Sequence, residues 1–118
     1  MSTIVTSNVS DGTLSIPTTY VTNGSARAYG AANMTGTAAL RGDNFNISSL
    51  TDGGTGQAQF NLTNAMADAE YTVLGASANY DYQQTPISAS QFTACAVDYL
   101  GNFSDSTWQS GAIFGDLA

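Results

Sequence analysis

Asn46-Ile47-Ser48-Ser49-Leu50, then Thr51-Asp52-Gly53-Gly54-Thr55-Gly56, then Gln57-Ala58-Gln59-Phe60-Asn61-Leu62-Thr63: this run decides the fold class. Glycine adopts positive φ at little steric cost, so the Gly-rich middle reverses the chain. Apolar residues alternate on both sides of it, Phe45 and Ile47 before and Ala58, Phe60 and Leu62 after. A period of two places them on one face of a β-hairpin. Residues 64–69 are too few for a stable free helix. They carry the chain over an edge into a further strand, 71–78. The result is a three-strand unit with one apolar face, which the rest of the chain has to cover.

Working outward, the composition agrees with strands and turns. The chain has 118 residues, enough for one domain with a core. It is 42% hydrophobic but only 9% charged, against roughly 25% in an ordinary soluble domain. Ser, Thr, Asn and Gly carry the solubility instead, and these residues suit turns and sheet surfaces. The net charge is −7, with Arg27 and Arg41 the only cations. Nucleic acid is excluded as a direct partner, because phosphate binding needs clustered Lys and Arg. An anionic membrane is disfavoured for the same reason, and no apolar run approaches the ~20 residues of a membrane span. Met1-Ser2-Thr3-Ile4-Val5 lacks a basic region and a long apolar run, so no signal peptide is expected. Cys95 stands alone, which rules out an internal disulfide, and it lies in the strand-like run 92–97. It reads as a small buried hydrophobe.

Residues 1–24 alternate weakly through Ile4, Val9, Leu14, Ile16 and Val21, interrupted by Asp11-Gly12 and Pro17. They read as an extended N-terminal arm with one or two short strands, suited to docking or subunit exchange. The domain proper is 25–118. Strands are expected at 25–29 and 35–40, with a break at 30–33 and a turn at Arg41-Gly42-Asp43-Asn44. After the central unit, residues 79–88 form a polar loop, 91–99 a strand apolar on both faces and therefore central, and 107–114 the last strand. Six to eight short strands at a rhythm of roughly 8–12 residues predict an all-β, compact β-sandwich, jelly-roll-like or Ig-like. No helix is expected beyond a turn or two near residues 65–68. Phe60, Leu62, Val73, Phe92, Val97 and Phe114 are the expected core.

The ordered series Thr18-Thr19-Tyr20-Val21-Thr22-Asn23-Gly24-Ser25-Ala26-Arg27-Ala28-Tyr29, Thr35-Gly36-Thr37, Phe45 to Asp52, Gly54-Thr55-Gly56, Phe60, Thr63 to Tyr71 and Ala112-Ile113-Phe114-Gly115-Asp116 is more specific. It resembles a small β-domain of bacteriophage virion proteins, found at tail-fibre tips in phages of marine and cyanobacterial hosts. The likeness covers about residues 18–116. It departs from the family at Ala67, where proline is usual, and after Tyr29, where Gly30-Ala31-Ala32 replaces a bulkier pattern. The resemblance implies a non-enzymatic virion structural protein, a short fibre, fibre tip or capsid decoration, assembled in the host cytoplasm. It also implies a homotrimer; the arm of residues 1–24 would then either cross to a neighbouring subunit or reach other virion proteins of the capsid or tail. Recurring small residues at strand spacing (Ala26, Ala28, Ala38, Ala39, Ala76, Ala78) and scarce charge suit such close association.

Candidate chemistry is sparse. With no histidine, no lysine and no G-x-S-x-G motif, no catalytic residue is assigned. Asp68, Glu70 and Asp81 read as solvated charges. No cofactor and no metal are expected, since zinc lacks its ligands and Asp43 and Asp52 read as turn formers. Arg41-Gly42-Asp43 spells an integrin-type tripeptide but also a turn. Asn8, Asn23, Asn33, Asn46, Asn61 and Asn102 head N-x-S/T sequons, which an Asn-, Ser- and Thr-rich chain produces freely. The alternative function is a host-surface glycan-binding module. Tyr80, Tyr82 and Trp108 would stack on sugar faces, with Asp81, Gln83 and Gln84 reading hydroxyls.

Overall fold

The structure, a computed structural model, describes residues 2–118, the Tyr82 side chain apart. The elements are β1 (Asn8–Ser10), β2 (Ser15–Pro17), α1 (Thr18–Gly24), β3 (Ala28–Asn33), β4 (Ala39–Phe45), β5 (Ile47–Asp52), β6 (Gln57–Leu62), β7 (Thr72–Ser77), β8 (Tyr80–Ser88), β9 (Gln91–Val97) and β10 (Gln109–Phe114). β1 and β2 form a small hairpin in the arm. The other eight strands make two antiparallel four-stranded sheets, in the orders β4-β3-β10-β7 and β5-β6-β9-β8. Strands account for 53% of the chain and helix for 6%, and the sheets pack face to face as the predicted sandwich.

The core is built on a mismatch of sizes. Phe60 and Phe92 pair across β6 and β9 in the second sheet, are fully buried, and stack with ring centroids 5.0 Å apart. Opposite them, Gly30, Gly111 and Gly75 form one register row across β3, β10 and β7. A Cβ on Gly111 would lie 2.7 Å from Phe92 Cε2, and one on Gly30 would lie 3.2 Å from Phe60 Cδ1. The first sheet therefore gives up side chains where the second supplies two rings. Around this lie Ala28, Ala32, Met34, Ala58, Leu62, Met66, Tyr71, Ala94 and Ile113. Burial among them pushes the Tyr71 phenol up to about 12, and its hydroxyl bridges the carbonyls of Ser88 and Gln91 at 2.8 and 2.7 Å.

Two polar residues fasten the layers. Gln109, 1% exposed, reaches from β10 to donate to the carbonyls of Gly56 (3.1 Å) and Ala94 (2.9 Å) and accepts from Ser106 N. Asn46 turns the chain from β4 in one sheet to β5 in the other. Its φ is +56°, a left-handed conformation that Asn tolerates better than most residues. Its Nδ2 donates to Arg27 O and Asn64 O, both at 3.0 Å, while its Oδ1 accepts from Asn64 N at 2.7 Å.

The hairpin register agrees with the sequence: Phe60 pairs with Leu50 and Ile47 with Leu62, and Ala58, Phe60 and Leu62 all point inward. β9 is central and buried from Phe92 to Val97, Cys95 included. Several expectations are corrected. Phe45 does not share a face with Ile47, because the Asn46 corner separates them; it stays on the first sheet, 52% exposed, stacked on Tyr29 at 5.8 Å. β7 leaves the hairpin and joins the first sheet beside β10, so the three-strand unit is split between layers. Residues 30–33 are strand rather than break, since Gly30 makes room for Phe60. Residues 79–88 are largely strand β8, not loop. Residues 65–68 carry no helical turn; Met66 bridges Leu117, and Ala67 N donates to Asp116 O. Phe114 is half-buried while Ile113 is fully buried, because Gln109, Gly111 and Ile113 take the inward parity of β10.

The arm is not extended throughout. Its residues 18–24 form α1, with Pro17 at the N-cap. The extended backbone of Pro17 (φ −58°, ψ 143°) ends the β2 strand before the helix and offers no side-chain cap hydrogen bond. Thr22 Oγ1 and Ser25 Oγ return bonds to Thr18 O and Val21 O, and Arg27 ties the helix end to the sandwich through Thr22 O and Gly115 O. Nothing in α1 is buried.

Candidate functional site

The sandwich has two unlike outer faces. On the second sheet, amides and hydroxyls form a cross-strand ladder. Gln91 Nε2 donates to Asn61 Oδ1 at 2.7 Å, and Asn61 Nδ2 donates to Ser49 Oγ (3.0 Å) and Thr51 Oγ1 (2.9 Å). Such a face is satisfied in water. On the first sheet, the register aligns Phe45, Tyr29, Ala112 and Leu74 in one row across β4, β3, β10 and β7. Leu74 is 59% exposed and Tyr29 45%. Beside this row lie Ala31, Ser110 and Ala76, and together with Trp108 and Asp43 they line an open trough of about 430 Å³. Contiguous apolar surface that crosses a whole sheet marks an interaction site more often than a solvated face.

Arg41 is committed to this face. Its guanidinium carbon lies 4.4 Å from the centroid of the Trp108 ring, and its Nη1 donates to Thr107 O. The Arg41-Gly42-Asp43 tripeptide sits in an irregular bulge of edge strand β4, between the pairs Tyr29–Phe45 and Ala31–Arg41, and not in the expected turn. Gly42 has φ +68° there, and Asn44 Oδ1 accepts from Ala31 N at 3.2 Å. Both cations of the chain thus bond backbone carbonyls.

The residues singled out in the sequence do not form one site. Trp108 lies on the outer face of the first sheet, 43% exposed, rather than in the core. Tyr80 opens β8, 61% exposed, beside Tyr99, at the end of the sandwich where Trp108 O accepts from Ala78 N at 2.8 Å. Asp81 and Gln83 are exposed, in and around the β8 bulge between Asp81 and Gln84. The Tyr82 side chain is outside the described residues. Gln84 turns between the layers, with Nε2 donating to Cys95 O at 3.3 Å and its side chain filling the space beside Gly75. It is withdrawn from any ligand surface. Tyr29, Phe45 and Leu74 on the one face, and Tyr99 beside Tyr80, were missed. Tyr99 had a signal, since an aromatic stands in a turn-forming Asp98-Tyr99-Leu100-Gly101-Asn102 run.

Among the described residues, no group of His, Cys, Asp and Glu could hold a metal ion, and no helix is long and apolar enough to cross a membrane. The chain matches no protein-family model, no curated protein and no solved structure.

Proposed function

We propose that this chain is a non-enzymatic structural protein of a bacteriophage particle, exposed on the virion as a short fibre, fibre tip or capsid decoration. The observation that carries the reading is the contrast between the two outer faces. One is a satisfied polar ladder suited to solvent. The other is an apolar row spanning four strands, suited to burial against a neighbour. The arm adds a second apolar surface, with Ile4, Val5, Leu14 and Tyr20 each at least 70% exposed. A subunit with two uncovered apolar surfaces and few charges to desolvate is built for assembly. The ordered resemblance across residues 18–116 supplies the particle. The assembled state is a homotrimer, with residues 1–24 reaching neighbouring subunits or other virion proteins.

Mass spectrometry of purified particles from the phage that encodes this chain should recover it at a fixed ratio to the major capsid protein. Antibody labelling in electron micrographs should mark the outside of intact particles. Its absence from purified particles would overturn the reading.

A further inference from the structure

We propose that the cleft between Tyr80 and Tyr99 binds a neutral saccharide. The cleft is open, about 480 Å³, and is lined by Ala78, Asn79, Tyr80, Asp98, Tyr99 and Ser104. That volume falls within the range of small-ligand sites, about 300–1,000 Å³. Its two rings, Tyr80 at 61% and Tyr99 at 79%, are more exposed than Tyr29 (45%) and Trp108 (43%) in the first-sheet trough. They meet because Tyr80 pairs with Val97 across β8 and β9, which places it beside the turn that starts at Asp98.

The floor is held rigid without any ligand. Asp98 N donates to Asn102 O (2.8 Å) and Gly101 N to Asp98 O (3.0 Å). Asp98 Oδ1 accepts from Leu100 N (2.9 Å) and Asn102 N (3.0 Å). Gly101 supplies the positive φ, +83°, that the turn needs. On the other wall, Asn79 Nδ2 donates to Ser104 Oγ and Asp105 O, both at 3.2 Å, and Ser104 N is anchored on Ala96 O at 3.1 Å. A site whose groups are already fixed loses little freedom on binding.

The chemistry of the lining selects the ligand class. Two phenol rings offer apolar faces to the C–H face of a sugar ring, with hydroxyls at the tips. The second oxygen of Asp98 and the Oδ1 of Asn79 hold no hydrogen bond among the described residues, so both remain as acceptors. The Ser104 hydroxyl accepts from Asn79 and keeps its proton to donate. Acceptors and donors interleaved beside aromatic faces match a polyol. No cation lines the cleft, and a chain of net charge −7 repels anions. A cationic ligand would use Asp98 and the rings but would leave the Ser104 donor without a role.

The test is the amide NMR spectrum of the full chain, titrated separately with methyl glucoside, methyl galactoside, methyl mannoside and N-acetylglucosamine, and with tetramethylammonium chloride as the competing cation. At least one sugar should shift the amides of Asn79, Tyr80, Tyr99 and Ser104 saturably in the millimolar range, leaving Tyr29 and Phe45 unmoved. Tyr99→Ala and Tyr80→Ala should each weaken that binding about tenfold or more. The rest of the spectrum should stay in place, because both side chains are exposed. Three results would each overturn the proposal: no sugar moving these amides, shifts centred on Tyr29 and Leu74 in the first-sheet trough, or tetramethylammonium moving the cleft while the sugars do not.

Discussion

At the scale of single residues, Asn46 does three jobs with one side chain. It takes the left-handed φ of +56° at the corner between the sheets, and its amide holds Arg27 O, Asn64 O and Asn64 N together. Each net hydrogen bond contributes about 1 kcal/mol, and the left-handed backbone costs an ordinary residue about 1–2 kcal/mol. Asn46→Ala should therefore destabilise by about 3–5 kcal/mol, read from the urea midpoint at unchanged slope. Asn46→Gly loses the same bonds but not the conformational tolerance, and should be less damaging by about 1 kcal/mol. Equal losses in the two variants would remove backbone conformation from the account. In the sequence Asn46 reads as one more sequon in an Asn-rich chain. Its partners lie 18 or 19 positions away, so no local pattern could show the clamp.

At the scale of elements, the glycine row decides how the sheets meet. Gly30, Gly111 and Gly75 align only after β3, β10 and β7 have paired. The hairpin β5–β6 was legible because its turn and its alternation are contiguous in the chain. The strand β3 was not, because glycine punctuates locally and Gly30 read as a break. The site divides in the same way. Tyr80 was legible as an exposed aromatic among polar residues, whereas its neighbour Tyr99 is brought to it by the pairing of Tyr80 with Val97. Gly111→Ala tests the row directly. Ala normally gains in a strand by reducing unfolded-state freedom, by about 0.4–1 kcal/mol. Here its Cβ would sit 2.7 Å from Phe92 Cε2, and that ring is held by Phe60. Overpacking wins, and the variant should lose about 1–3 kcal/mol. Phe92→Leu removes the obstructing ring edge, so in the double variant the Gly111→Ala penalty should shrink by about 1 kcal/mol or more. Strict additivity would mean that the clash is relieved elsewhere.

At the scale of the whole molecule, two separate apolar surfaces, the arm and the first sheet, belong to one chain. The molecule measures 50 × 29 × 25 Å, and residues 2–17 of the arm are exposed throughout. The arm hairpin pairs Val9 with Ile16, and a two-stranded hairpin is marginal alone. Asp11 is its only charge, and the amides of Leu14 and Thr13 hold that carboxyl below the usual carboxylate range. The other surface is the row of Phe45, Tyr29, Ala112 and Leu74. A threefold ring needs a head-to-tail contact between two different patches, which closes when each subunit lends one patch and receives the other. Seating the arm of one copy on the first sheet of the next covers both surfaces at once. Light scattering of the purified chain at micromolar concentration should then give a trimer. Leu74→Asp buries a charge in that contact and should yield monomers, while circular dichroism stays unchanged because Leu74 is 59% exposed. Removing residues 1–24 should also yield monomers. A trimer that survives loss of the arm but not Leu74→Asp would place the whole interface in the sandwich and free the arm for docking on the particle. A full-length chain that stays folded and monomeric would sink the trimer.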